Sequence, residues 1–292
     1  MELTAPIPTE FVHVDGSKVT DKIIGIGGTN IVVEQGIYAV KLPRLSRFFA
    51  PDGVSVLIDQ SRPPGKGGYD YRGQLINALE NEKAIYRRLG PHDGITPCFN
   101  PSSTEPSVQL LRMGQSLRSY LGDANDSNNN RPERKRQLAW AIQLAETLAH
   151  IHSRGVIVGD ISPSNILLER EDEASSGVRF VDFSESSLMA PDWDRQSPDA
   201  YGYSVLSDIA QLGAVIFLLV TGRPCKFSLE EDAQDPSGPL AWPRRDSLPE
   251  TDGVWLGDLV DKCWTKGFAS ADGLAAALRQ VEVQWNKNSS FY

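Results

Sequence analysis

Asp160 and Asn165 stand five residues apart across Pro163, and Asp182 follows the strand-like run Val178-Arg179-Phe180-Val181. Two carboxylates and an amide converging on one site can hold a hard cation and orient a hydroxyl for proton transfer. Each alone also reads as a turn residue; the ordered set argues for chemistry. Upstream, Lys41 ends an apolar run in which Ile37, Ala39 and Lys41 share one strand face. Taken singly it fits an edge lysine reaching solvent, but an ammonium among apolar neighbours calls for an anion. Glu82 falls on the apolar stripe of a helix marked by Leu75, Leu79, Tyr86 and Leu89. It fits a glutamate snorkelling at the stripe's edge. It fits equally a buried carboxylate, and an unpaired buried charge costs several kcal/mol. Lys41 is its natural partner. Gly25-Ile26-Gly27-Gly28-Thr29-Asn30 precedes them. Glycines between two strands let backbone N–H groups approach a phosphate, although a tight hairpin without ligand has the same look.

These residues need elements to hold them. Residues 11–42 read as short strands, with a hairpin turn at Gln35-Gly36. Residues 43–73, rich in Pro, Gly and Arg, read as a mobile loop. A helix is expected over 74–89, a strand over 107–113, a short helix at Leu117–Leu121 and a helix over about 133–152. A polar Asn-rich linker, Asp123–Arg131, separates the last two. Two strand-containing segments, 156–168 and 178–183, flank a polar turn. Ser207–Thr221 is apolar on nearly every side and reads as a buried helix, with Ser207 as N-cap and Gly222 as C-cap. A loop over 224–252, acidic at Glu230–Asp235, leads to closing helices at about 254–264 and 271–285. Strands first and helices after imply a small β-rich region followed by a larger helical one.

Composition narrows the classes. The 292 residues suffice for about two domains or one large two-lobed one. With 29 Lys and Arg against 38 Asp and Glu the formal charge is −9, which argues against a nucleic-acid partner and against docking on an anionic membrane. Three scattered cysteines and four histidines form no metal or disulfide framework. The N-terminus lacks the pattern of a secretory signal, and the longest apolar stretch, Leu212–Val220, is about half a membrane span. The expectation is a soluble protein, cytoplasmic or nuclear, without a transmembrane segment.

Taken together, the motifs resemble the eukaryotic protein kinases over roughly residues 20–285. Tyr38-Ala39-Val40-Lys41 is similar to the V-A-I-K strand, and Asn81-Glu82-Lys83 to the helix whose Glu pairs with that Lys. Asp160 to Asn165 resembles the D-x-x-x-x-N catalytic loop, Asp182-Phe183-Ser184 the D-F-G, and Ser207-Asp208-Ile209-Ala210-Gln211-Leu212-Gly213 the start of the buried helix. Cys263-Trp264 is similar to the Cys-Trp pair before the last helix. The nearest flavour is a group of divergent kinase-like proteins of filamentous fungi. The resemblance implies an α+β, bilobal kinase-like fold. Residues 1–19 would be an N-terminal extension, the N-lobe about 20–112 with an insertion at 43–73, the C-lobe about 113–285, and 286–292 a tail.

It also implies roles, with ATP and Mg²⁺ as cofactors and a protein hydroxyl, Ser or Thr, as acceptor. Gly25 and Gly27 would cover the phosphates. Lys41, held by Glu82, would contact them. Val32, Ala39 and Leu167 would enclose the adenine. Asn165 and Asp182 would bind the metal, and Asp160 would take the acceptor's proton. Asp208 would brace the catalytic loop, and Tyr86, Val158 and Phe183 would join an apolar column. Four departures stand out. Asn30 replaces the third loop glycine, Val158-Gly159 the usual His-Arg, Ser162 the usual lysine, and Ser184 the last glycine of D-F-G. Without that arginine, regulation should not depend on a phosphorylated activation loop. Without that lysine, transfer should be slower. A pseudokinase or scaffold is the alternative function, and a small-molecule kinase the third.

Overall fold

Short runs rich in β-branched and aromatic residues open the chain as strands: β1 (Thr9–Val12), β2 (Ile23–Ile26), β3 (Asn30–Gln35), β4 (Tyr38–Pro43), β5 (Leu45–Phe49) and β6 (Val56–Asp59). Helix α1 (Tyr71–Leu89) and strand β7 (Val108–Leu111) follow. The computed structural model describes residues 9–65, 67–122, 131–170, 177–229 and 240–289. The chain divides into two compact units. The first runs to Arg88 and takes in Pro97–Arg112; the second comprises Leu89–Thr96 and the chain from Met113 onward.

In the first unit an antiparallel four-stranded sheet has the order β2-β3-β4-β7. The β3–β4 turn is Gly36-Ile37, one residue later than expected, with Gly36 at φ +63°. Ile31, Val33, Val40 and Leu42 bury one sheet face together with Val19. The loop expected over 43–73 is corrected: β5 and β6 form a second antiparallel sheet of order β1-β5-β6. Leu45, Val12 and Leu75 make its core. Arg47 ties its strands, pairing with Glu10 and Asp59 and donating to the Gly16 carbonyl. The turn-forming residues that suggested a loop lie at the ends of these strands. Helix α1 begins earlier than residue 74 because the Asp70 carboxylate accepts the Gly73 N–H at 2.8 Å and caps the first turn.

The second unit contains α2 (Leu117–Leu121), α3 (Arg134–Ser153), β8 (Val156–Ile157), β9 (Ile166–Leu168), β10 (Val178–Phe180), β11 (Ser187–Leu188), α4 (Val205–Thr221), α5 (Gly257–Trp264) and α6 (Ala271–Ser289). The buried apolar helix is α4. Its N-cap is Ser204 rather than Ser207; Ser207 sits at N3 and closes a reciprocal capping box with Ser204. Gly222 ends it in the left-handed conformation, donating to the Leu218 carbonyl. Strand β11, absent from the sequence reading, pairs antiparallel with β8. The expected loop over 224–252 carries a 3-10 turn at Arg245–Ser247. The acidic stretch Glu230–Asp235 and nearly all of the Asn-rich linker lie outside the described residues. Among the described residues no helix is long and apolar enough to cross a membrane.

Candidate active site

The first unit positions Lys41 and Glu82. Lys41 lies in β4, only 3% exposed, and Glu82 in α1 is fully buried. The Lys41 ammonium donates to both Glu82 carboxylate oxygens, at 2.8 and 3.0 Å. Two charges that could not be buried singly are thereby buried together. Register then collects the other expected nucleotide contacts. Gly25 stands opposite Val32, Val32 opposite Lys41, and Lys41 opposite Val108, a row running across all four strands. Opposed residues share a sheet face, and Ala39, two residues from Lys41, joins them. Val32 and Ala39 are half-buried.

Between β2 and β3 the chain turns through Gly27, whose N–H donates to the Asn30 carbonyl at 2.8 Å. Asn30 is buried, and its amide reaches Thr29 at 3.4 Å. The residue that replaces the third glycine thus packs into the turn. Arg44, which the sequence reading passed over, donates to the Gly27 carbonyl at 2.8 Å and fastens the turn to the end of β4.

The second unit positions Asp160, Asn165 and Asp182. Asp160 is exposed on the loop after β8. Asn165 donates its amide to the Asp160 carboxylate at 2.9 Å and to the Asp160 carbonyl at 3.1 Å. The loop's backbone is fixed from α4. Asp208 accepts the Val158 and Gly159 N–H groups at 2.8 and 2.9 Å and pairs with His152 Nε2 at 2.9 Å. Gln211 accepts the Ile161 N–H at 2.9 Å and donates to the Gly159 carbonyl at 2.8 Å. Gly159 is required here: its φ is +78°, and a Cβ would meet the Glu185 carbonyl oxygen at 3.0 Å. Sequence reasoning found Asp208 but missed Gln211. The signal was available, since a polar residue three positions beyond Asp208 shares its face of an apolar helix.

Asp182 sits at φ +65°, and its Oδ1 accepts from the Ser184 hydroxyl at 2.7 Å. The Val181 N–H donates to the Asn165 carbonyl, which joins the two metal-ligand candidates through adjacent backbone. Leu167, half-buried, lies in β9 opposite Arg179. Val158 and Phe183 are buried in this unit, as Tyr86 is in the first. Beyond Asp182, the Asp199 carboxylate accepts from the Ser187 hydroxyl at 2.6 Å and from the Tyr201 and Tyr203 N–H groups at 2.9 Å. Burial, and then the charges of Asp160, Asp199 and Glu185, push the Tyr203 hydroxyl above its ordinary range.

The donor chemistry fits Mg²⁺ carried in with phosphates. Asn165 donates its amide nitrogen to Asp160, so its carbonyl oxygen is the atom that would face a cation. Asp182 adds a carboxylate. Among the described residues no set of three His, Cys, Asp or Glu forms a preformed metal cage. Mg²⁺ is commonly held by one or two carboxylates and the substrate's own phosphates rather than by such a cage.

Comparison with known proteins finds distant similarity to protein kinases. The chain is 24% identical over 231 residues, 73% of its length, to serine/threonine-protein kinase DCLK2 of Mus musculus. It is 26% identical over 251 residues, 80% of its length, to probable serine/threonine-protein kinase PkwA of Thermomonospora curvata. A stretch of 117 residues, 39% of the chain, is 32% identical to CBL-interacting protein kinase 22 of Oryza sativa subsp. japonica. These similarities support a place in the protein kinase superfamily. The matched regions span 28%, 31% and 24% of the lengths of those three proteins. No family model matches the chain. The β-rich first unit and the helical second unit give the α+β, kinase-like architecture expected from the motifs.

Proposed function

We propose that this chain is an ATP- and Mg²⁺-dependent protein kinase that phosphorylates a serine or threonine hydroxyl. The observation that carries the proposal is Asp160: an exposed carboxylate bonded to Asn165, on a loop whose backbone is fastened to α4 through Asp208 and Gln211. A carboxylate held so is pre-organised, and orientation in advance is where phosphoryl transfer gains most of its rate. Mg²⁺, when bound with the nucleotide, supplies charge neutralisation at the phosphates. Asn165 and Asp182 would hold it. Lys41, oriented by Glu82, would bind the phosphates beside the glycine turn at Gly25 and Gly27. Val32 and Ala39 in the first unit, and Leu167 in the second, are the residues that the kinase resemblance assigns to the base. Asp160 would orient the acceptor hydroxyl and receive its proton.

Two observations favour the alternative, a pseudokinase. The Ser184 hydroxyl occupies one Asp182 oxygen, and Ser162 brings no charge to the transferring phosphoryl group. Incubation with γ-labelled ATP and Mg²⁺, beside a mixed pool of proteins, sugars and amino alcohols, separates the readings. Acid-stable label on protein Ser or Thr is the expected result. Label on a small alcohol would assign a small-molecule kinase instead, and ATP binding without transfer would assign the pseudokinase.

A further inference from the structure

Lys83, the neighbour of Glu82 in α1, is fully buried. Its ammonium has three donors and meets three oxygens. They are the carbonyls of Ser103 at 2.7 Å and Glu105 at 2.6 Å, and the Glu80 carboxylate at 2.6 Å. The segment that presents those carbonyls is itself fixed. Its start pairs back onto β7, with Phe99 N–H donating to the Gln109 carbonyl and Leu111 N–H to the Pro97 carbonyl. The Asn100 side chain donates to the Ser107 carbonyl and accepts the Gln109 N–H. Arg87, one turn further along α1, adds a bond to the Pro101 carbonyl.

These contacts close a ring. From Glu82 the path runs one residue to Lys83, across to the 103–105 carbonyls, and into β7. There Val108 stands opposite Lys41, whose ammonium returns to Glu82. We infer that Lys83 is a positioning residue that locks α1 in the arrangement where Glu82 holds Lys41, without help from any other chain or modification. Its consequence for catalysis rests on the kinase reading above; the anchor itself does not. A helix fixed internally at this point has no need of an external activator to bring Glu82 into place.

Hydrogen exchange on the purified full chain tests it, comparing wild type with Lys83→Met and Lys83→Arg. In Lys83→Met, amides of α1 and of 97–107 should exchange about tenfold faster, the loss expected when two carbonyls and a carboxylate lose their shared donor. Amides of α4 should be unchanged. The KM for ATP should rise while the KM for the acceptor stays, and Lys83→Arg should recover part of both effects. A folded Lys83→Met chain with wild-type exchange in α1 would overturn the inference. If Lys83→Met does not fold, Glu80→Ala removes one partner from the partly exposed side. Faster α1 exchange there supports the anchor, and wild-type exchange refutes it. A wild-type chain that turns over no ATP would defeat the kinase reading while the exchange result still decides the anchor.

Discussion

At the scale of single residues, burial decides what Lys41 and Glu82 are. Their side chains are 4% and 0% exposed and share two short hydrogen bonds. Removing one partner strands the other's charge in the core. Glu82→Ala should therefore cost about 3–5 kcal/mol of first-unit stability, measured by urea unfolding. Replacing both, as Lys41→Met with Glu82→Leu, should cost much less while still abolishing ATP binding. Equal destabilisation by the single and the double variant would refute the pairing as the cause. This pair was legible in the sequence because each charge fell on an apolar face, and two such misfits solve one another. Lys83 was not legible. Its principal partners are backbone carbonyls some twenty positions away, and no side-chain pattern announces a carbonyl.

At the scale of elements, the segment from β11 to the start of α4 is held by carboxylates of its own. Asp199 joins Ser187 to Tyr201 and Tyr203, and Ser186 donates to the Val158 carbonyl at 2.8 Å. On the proposed kinase reading, Gly159 stands where the resembled kinases carry an arginine for a phosphate, and Asp199 supplies negative charge within the segment. Asp199→Ala should loosen this segment and lower turnover by up to about a hundredfold, since small misplacements near reacting groups cost that much. Phosphatase treatment of the wild type should change nothing. Activity lost on phosphatase treatment would show that a phosphate, not Asp199, sets the segment. The buried helix α4 could be read almost to the residue, because a run apolar on every side has one solution. Strands β5 and β6 could not. Their flanking Pro and Gly dominate the local composition, and the pairing that makes them a sheet, Arg47 opposite Asp59 and Val12 opposite Leu45, is non-local.

At the scale of the whole molecule, the chain leaves its first unit after Arg88, contributes Leu89–Thr96 to the second, and returns for Pro97–Arg112. The visiting segment is fastened by His92, stacked on His150 of α3 with ring centroids 4.2 Å apart, and by His150 Nε2 at 3.0 Å from the Leu89 carbonyl. Burial, and then the His150 ring, hold His92 below the ordinary histidine value of 6.5; Asp93 opposes this and Arg179 adds to it. The unfolded chain therefore binds more protons as pH falls through about 6.5, and the folded state loses stability there. Thermal unfolding should show a fall in Tm from pH 7 towards pH 5, and His92→Gln should flatten it. An unchanged slope in His92→Gln would place the titration elsewhere. Unit composition, helices first or strands first, was readable from periodicity. This crossing of the chain between units was not, because it depends on contacts that no local pattern encodes.

Phosphoryl transfer at Asp160 is tested most directly by Mg²⁺-dependent ATP turnover of the purified chain beside Asp160→Ala. Turnover is expected in the wild type and lost in Asp160→Ala, with Mg²⁺-dependent stabilisation by ATP retained in both. Turnover unchanged in Asp160→Ala, or none in a wild type that binds ATP and Mg²⁺, would contradict transfer at Asp160.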